Sequence, residues 1–412
     1  MPKPHLLMIG GWNDIIEKAF DNGFDVSYFG SLSPAVAFDP ALLAPARHKV
    51  ALNVAQIGVC LATARQIHAE EPFDAVISFT ELGMETAAVI ADALQVPGMD
   101  LWAVSVTRYK DKMREVLDKH PHLKLPWQRF SATEQLIDFY QAHGPSIIVK
   151  PISGAASVGV QQIRSVEELQ GYISAVPEEE RVDFIAEQLV DSDQLYSIES
   201  LSVDGEHHII TMSVARMVGY PYALSNHIIV PPHNLDERTS ASIERTVREF
   251  LTAVRLRNGV AHTEVKLSRD HQPFIIESQT RVGGDRIWKM LELTTGVKQV
   301  DLTLNNLVGE KQVPVPSAMN QVAAFFSLLP DAGVVARVSD IEDLKSIGGL
   351  IEATLEVKVG DDIKPITNNS ERKGNLLLTA DSHDDLFKKF AQIQERLWIE
   401  YENGSVWHPS FK

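Results

Sequence analysis

The amino-acid sequence predicts an α/β protein that opens with a doubly wound, Rossmann-like domain, and three observations carry that expectation. The first is a strand, helix, strand rhythm: a buried strand pattern from His5 to Gly10, the helix pattern GWNDIIEKAFDNG ending at Gly23, and the strand FDVSYFG. The second is that the rhythm repeats, through the helix VAQIGVCLATARQIHAEE, the strand FDAVISF and the helix ELGMETAAVIADALQ, up to a Val-Pro-Gly stop. The third is bulk. A chain of 412 residues, 44% hydrophobic and 23% charged, holds two or three domains with ample core.

The first domain closes near residue 105 on this pattern, and YKDKMREVLDKH reads as a further helix. SATEQLIDFYQAHG follows, with Ser131 and Glu134 at the spacing of a capping box, and then the strand SIIVKP. A loop of small residues, SGAASVG, leads to the strand VQQI and to a helix that Ser165 and Glu168 could cap. FIAEQLV and the longer strands of YSIESLSVDGEHHIITMSVARMV come next. The helix SIERTVREFLTAVRL precedes GVAHTEVKLSRDHQPFIIES, two strands that the turn SRDHQP pairs as a hairpin. From about Val322 a last region has its own strands and the terminal helix pattern DDLFKKFAQIQERLWIE.

Charge and cysteine content exclude several classes. With 38 basic against 55 acidic side chains the net charge is −17, which repels a phosphate backbone and argues against nucleic acid as a partner. The one cysteine, Cys60, rules out an internal disulfide and a multi-cysteine zinc site, and its apolar helical setting reads as a core thiol. LLMIG is too short for a secretory core, and no stretch approaches the ~20 apolar residues of a membrane helix, so the expectation is a soluble, cytoplasmic protein with no membrane partner.

The stretch PFIIESQTRVGGD carries the most chemistry. Glu264 and Glu277 fall at facing positions of the hairpin, embedded in apolar and β-branched neighbours, where ionised carboxylates are costly without a cation. Oxygen ligands with no His/Cys cluster favour Mg²⁺ or Mn²⁺ over zinc, and Gln279 offers another oxygen two residues on. Arg281 adds a planar cation suited to carboxylate or phosphate. The competing reading makes the two glutamates solvated strand residues and Arg281 half of a surface pair. Upstream, Lys150 ends a strand and precedes a loop whose backbone N–H groups could approach a polyphosphate, although no Gly-x-x-x-x-Gly-Lys-Ser/Thr occurs. Lys112 has the alternative of being an ordinary exposed helix lysine.

Two lysines, a small-residue loop and an acid pair followed by arginine, in that order, resemble the ATP-grasp superfamily, with matching segments from about residue 75 to 290. Within it, HTE…IIE…RVGGD after DAVISFTELGMETAAVIADALQVPG looks most like the bacterial L-amino-acid ligases, the dipeptide synthetases related to bacilysin synthetase. The resemblance implies an N-terminal domain over 1–105, an ATP-grasp domain over 106–321 with a mobile lid at about 125–190 and a catalytic core at 191–321, and a C-terminal subdomain over 322–412. It implies ATP and Mg²⁺ (or Mn²⁺) as cofactors. Two free amino acids would be the substrates, joined through an aminoacyl phosphate, and a homodimer is left open.

Carried over residue by residue, it implies that Lys112 and Lys150 contact ATP phosphates and that Ser153, Gly154, Ala155, Ser157 and Val158 belong to a lid folding over the triphosphate. Glu187, Gln188 and Val190 become the adenine hinge, read through backbone groups. Glu264 and Glu277, with Gln279, hold the metal; Arg281 steadies the substrate carboxylate and then the acyl phosphate; His227 lies near the reacting carbonyl or is a structural histidine. Two departures stand out. The superfamily has Glu-x-Asn where this chain has Glu277-Ser278-Gln279, and Leu195 stands where an acidic residue grips the ribose, a task left to Asp193 or Gln194. Gly284 and Asp285 fall where the resemblance places the wall of the pocket for the N-terminal amino acid; a small acidic residue there predicts a roomier pocket favouring a basic or polar side chain, or else a turn residue. Glu81 could contact a substrate ammonium or begin a helix. The rivals are another ATP-dependent carboxylate-amine ligase with a different acid or amine, a biotin-dependent carboxylase without its carrier, and a nucleotide-binding regulatory protein.

Overall fold

The computed structural model describes residues 3–411 except 36–37, 178–180, 182, 310 and 318–320. Its first sheet is parallel, in the order His48–Ala51, Asp25–Gly30, His5–Ile9, Ala75–Ile77. Leu6 and Met8 enter one core and Leu7 and Ile9 the other, so the central strand is apolar on both faces because helices cover both. The helices are Asn13–Asp21, Ile57–Glu70 and Met84–Leu94, each within the span that the hydrophobic rhythm predicts. Cys60 is fully buried in the second core.

Two helices, Leu101–Arg108 and Lys110–Leu117, meet at Tyr109, whose extended backbone (φ −110°, ψ 113°) breaks the helical run. A four-stranded antiparallel sheet follows, in the order Trp127–Phe130, Phe184–Gln188, Ile147–Pro151, Gln161–Ile163. Helices Thr133–His143 and Val166–Ala175 cover it with their own core of Leu136, Phe139, Leu169 and Tyr172. Ser165 caps the second of these as its sequence implies: its Oγ accepts from the Glu168 N–H at 3.2 Å, and the Glu168 carboxylate accepts from the Arg164 N–H at 2.6 Å. The first helix is capped differently. Gln135 Oε1 accepts from the N–H groups of Ser131 and Ala132 at 2.9 and 3.2 Å, and Glu134 takes no part.

The largest sheet has eight strands, in the order Pro273–Gln279, Gly259–Leu267, Gln194–Val203, Glu206–Val218, Leu224–Val230, Val322–Ser327, Gly374–Ala380, Leu350–Leu355. Helix Glu237–Ala253 packs on it through Ile243, Val247, Phe250 and Leu251, the i, i+4, i+7, i+8 stripe of an amphipathic helix. Strands from the last ninety or so residues thus continue this sheet, and Phe326, Leu376 and Phe390 share one core with Ile198 and Val265. The terminal helix, His383–Arg396, stops earlier than its sequence pattern suggests: Ile399 and Tyr401 alternate inward with period two, and Ile399–Tyr401 pairs as a strand with Gly333–Val338. Among the described residues no helix is long and apolar enough to cross a membrane.

Candidate active site

Between the four-stranded sheet and the eight-stranded sheet lies a cavity of about 320 Å³. One wall is the hairpin Gly259–Leu267 and Pro273–Gln279, in which Glu264 pairs directly with Glu277, the register read from the sequence. Glu277 accepts from Lys110 Nζ at 2.9 Å and from Gln279 Nε2 at 2.7 Å. Burial alone would raise its pKa, but Lys110, Lys150 and Gln279 together outweigh burial and pull it down to about 2, so the carboxylate is ionised. Gln279 Oε1 is buried and has no hydrogen-bond partner. An orphaned amide oxygen beside two carboxylates is a donor set that fits a hard divalent cation. Among the described residues no three His, Cys, Asp or Glu converge on one point.

Beneath the hairpin lies a buried charge cluster. Arg114 donates from Nε and Nη2 to Glu187 at 2.8 and 3.1 Å, and from Nη1 to the Ile275 carbonyl at 2.8 Å. Lys150 approaches the same Glu187 at 2.5 Å. Burial would protonate Glu187, yet Arg114 and Lys150 hold its pKa below the usual carboxylate range. Burial lowers the Lys150 pKa, with Glu187 only partly restoring it. The helix explains the arrangement: in KDKMREVL, Lys110, Met113, Arg114 and Leu117 share the inward face, while Lys112 lies off it.

A second buried pair stands behind the hairpin. His262 Nδ1 and a carboxylate oxygen of Glu199 are in hydrogen-bond contact, His262 Nε2 lies 3.6 Å from Glu264, and Glu199 also accepts from the Gly283 N–H at 3.2 Å. Burial disfavours the imidazolium, but Glu199 and Glu264 overcome it and push the His262 pKa up to about 10. A Cβ on residue 283 would sit 2.8 Å from Glu199 and 2.9 Å from His262, so the first glycine of the Gly-Gly pair is required by close approach. Arg281, at the end of the same strand, donates to Glu81 at 2.8 Å, and Glu81 also accepts from Arg108 at 2.7 Å.

The rim is made of small residues. Ala156 and Ser157 adopt left-handed backbone (φ 57° and 60°), and the loop is tied to the far C-terminal region: the Asn369 N–H donates to the Ala156 carbonyl at 2.9 Å and Asn369 Nδ2 to Ser157 Oγ at 3.3 Å.

The structure brings Lys150, Gly154, Ala155, Ser157, Val158, Glu264, Glu277, Gln279, Arg281, Gly284 and Asp285 onto one cavity. Ser153 lies on the rim loop without lining the cavity; Gln188 ends the strand Phe184–Gln188, Val190 follows it, and neither lines the cavity. Lys112 is elsewhere, exposed and bound to Glu115 at 2.9 Å; the lysine that enters the cavity is Lys110. The Glu187 side chain, secondary in a hinge read through its backbone, is the hub of the charge cluster. Asp193 pairs with Arg216 and lines a different surface depression. Leu195, in contrast, does line the cavity. His227 faces away. The pairing skips Asn226 between Arg216 and Met217, and this bulge turns the ring onto Phe326 and Phe390, at 5.8 and 6.3 Å between centroids. There burial, then His233 and Arg216, lowers its pKa to about 4. Both oxygens of Glu81 are already taken by arginines.

Lys110, Arg114, Glu199, His262, Asn369 and Arg372 are site residues that motif reasoning passed over. For the first two a signal existed, since Met113 and Leu117 mark the inward face of their helix.

This fold is an ATP-grasp fold. Residues 144–289 match the ATP-grasp domain, and residues 325–402 match the L-amino acid ligase C-terminal domain 2. The chain therefore contains an ATP-grasp domain and a segment similar to the C-terminal domain of the L-amino-acid ligases. It is 24% identical over 269 residues to the alanine–anticapsin ligase of Bacillus subtilis (strain 168), a match over 60% of this chain and 56% of that protein, so the chain spans little more than half of that relative's length. It is 21% identical over 339 residues, 80% of each chain, to an L-arginine-specific L-amino acid ligase of Bacillus subtilis. Its fold superposes on the crystal structure of an L-amino acid ligase from Bacillus licheniformis with a TM-score of 0.81 at 23% identity, covering 98% of this chain and 100% of that one.

Proposed function

We propose that this protein is an ATP-dependent carboxylate-amine ligase that joins two free L-amino acids into a dipeptide, releasing ADP and phosphate. The observation that carries the reading is the convergence of Lys110, Lys150, Glu264, Glu277, Gln279 and Arg281 on one cavity beneath a small-residue loop. A carboxylate is a poor acyl donor because oxide cannot leave. Phosphorylation supplies a leaving group.

Lys110 and Lys150 would neutralise the phosphates, and the backbone N–H groups around Gly154 to Val158 would cradle them. Glu264, Glu277 and the free Gln279 oxygen would hold Mg²⁺, which when bound screens the phosphate charge. Lys110 then has two tasks: it keeps Glu277 ionised before nucleotide arrives and faces the phosphates afterwards. Arg281, held by Glu81, would orient the amino-acid carboxylate that attacks the γ-phosphorus, with ADP departing. The amine of the second amino acid would next attack the acyl carbonyl; phosphate departs, the nitrogen loses a proton, and the amide remains. Arg281, which lines the cavity, would steady the negative charge on the carbonyl oxygen. A closing rim would keep water from the acyl phosphate. This reading gives His227 no part, because its ring packs against Phe326 and Phe390.

The test is phosphate release from MgATP with each amino acid alone and in pairs, with mass spectrometry of the products. Amino-acid-dependent release with a dipeptide mass supports the ligase. Release driven only by other acids or amines would redirect the proposal to a different carboxylate-amine pair, and nucleotide binding without turnover on any acid and amine would sink it.

A further inference from the structure

Resting on the ligase reading, we propose that Arg372, supplied by the C-terminal region, is a specificity-determining residue: it masks the carboxylate of Asp285 inside the substrate cavity, so that the cavity selects uncharged amino-acid side chains. The cavity is lined by the lysines and the Glu264/Glu277 pair, where phosphate chemistry belongs, and also by Gly284, Asp285, Ile287, Asn369 and Arg372. An amino acid whose carboxylate meets Arg281 shares the cavity with Asp285 and Arg372, and on this proposal its side chain meets that pair.

There the Arg372 guanidinium grips Asp285 with both terminal nitrogens, at 2.8 and 3.3 Å. Their side chains keep 16% and 29% of their surface accessible, so the pair borders the cavity and is not sealed beneath it. The arginine is held from behind as well. Its Nε donates to the Asn369 carbonyl at 2.6 Å, and its guanidinium lies 5.7 Å from the centre of the Phe325 ring. Asn369 is itself fixed, accepting from the Ser225 N–H at 2.8 Å through its side chain and donating to the rim loop at Ala156. A cation this constrained stays in place when its partner is removed.

A small acid bordering a pocket would by itself attract a basic side chain. With Arg372 on it, the acid presents no net charge, and a lysine or arginine substrate would have to displace a fixed guanidinium. An acidic substrate meets the same obstacle from Asp285. Either single removal unmasks one charge.

The experiment uses the full chain and MgATP, and follows phosphate release and dipeptide mass with one constant partner amino acid against a panel of neutral (Ala, Leu), cationic (Lys, Arg) and acidic (Asp, Glu) amino acids. Arg372→Met keeps an apolar stem over Phe325, and Asp285→Asn tolerates the left-handed backbone found there (φ 47°). The expected result is a wild type favouring neutral side chains. Arg372→Met should raise kcat/KM for Lys and Arg relative to Ala by about tenfold, and Asp285→Asn should raise Asp and Glu relative to Ala by a similar factor. The double variant should return to the wild-type order. A merely structural pair would lower all substrates in equal proportion in both single variants, and that outcome, or a wild type already preferring Lys or Arg, overturns the proposal while leaving the ligase intact. Silence of the wild type with every amino acid would remove the ligase reading and this proposal together. Thermal melting of each variant guards against misfolding, and either single variant suffices to decide if the other fails to fold.

Discussion

The floor and the rim of the cavity are held by opposite means. The floor is a set of ionised groups out of contact with water, Arg114, Glu187 and Lys150, each with 4% or less of its side chain exposed. The rim is a loop of glycine, alanine and serine tied down by hydrogen bonds from Asn369. Desolvated charges cannot part without stranding one another, so the floor is rigid and keeps its geometry before nucleotide arrives. A rim held by a few neutral hydrogen bonds, each worth about 1 kcal/mol, can open and close at ordinary temperatures. The proposed ligase chemistry would need both properties on the same cavity.

The largest effect should come from breaking the floor. Glu187→Gln leaves Arg114 and Lys150 facing each other without their shared anion, and should cost about 3–5 kcal/mol in chemical denaturation; a loss under about 1 kcal/mol would mean that the cluster is not a structural unit. Next is the lysine that bridges floor and chemistry. Lys110→Met should lower kcat/KM for ATP about 100-fold, whereas Lys112→Met should stay within about twofold of wild type, and steady-state kinetics on the two variants would reverse the assignment if the effects were exchanged.

A third test uses His227, which lies on the far side of the sheet from both regions. Its pKa is about 4 in the folded protein against 6.5 as a free side chain, so the unfolded chain takes up the proton first. Stability from this residue is complete above pH 6.5, falls as the pH drops toward 4, and falls no further below it. His227→Gln should remove roughly 3 kcal/mol of that acid-side loss, read from denaturation midpoints between pH 7 and 4. The smallest effect belongs to the rim. Asn369→Ala removes the side-chain bond to Ser157 and keeps the backbone bond to Ala156, and should speed amide exchange at Ser157 by about five- to tenfold, corresponding to about 1 kcal/mol, with little change in global melting. An unchanged exchange rate would show that the tie is not what holds the loop.

Much of the architecture was legible because it is periodic. The two-residue alternation of the Glu264 and Glu277 strands set their facing register, and the apolar rhythm of the first hundred residues set a parallel sheet covered on both faces. What the sequence concealed are places where a local irregularity or a distant partner decides. The extended break at Tyr109 starts a new helix at Lys110, and that helix's inward face takes Lys110 and leaves Lys112 in solvent. The skipped Asn226 turned His227 out of the site, and no pattern in YALSNHIIV announces it.

By itself, then, the sequence determined the α/β class, the hairpin with its paired glutamates, and the presence of Lys150, Gln279 and Arg281 at strand ends, because secondary-structure periods and strand register are short-range properties of the chain. Only the tertiary structure decided which lysine meets Glu277, that Glu187 gathers Arg114 and Lys150, and that Arg372 reaches back 87 residues to cover Asp285. Those pairings depend on which charges the folded chain brings out of water together, and burial is a property of the whole molecule.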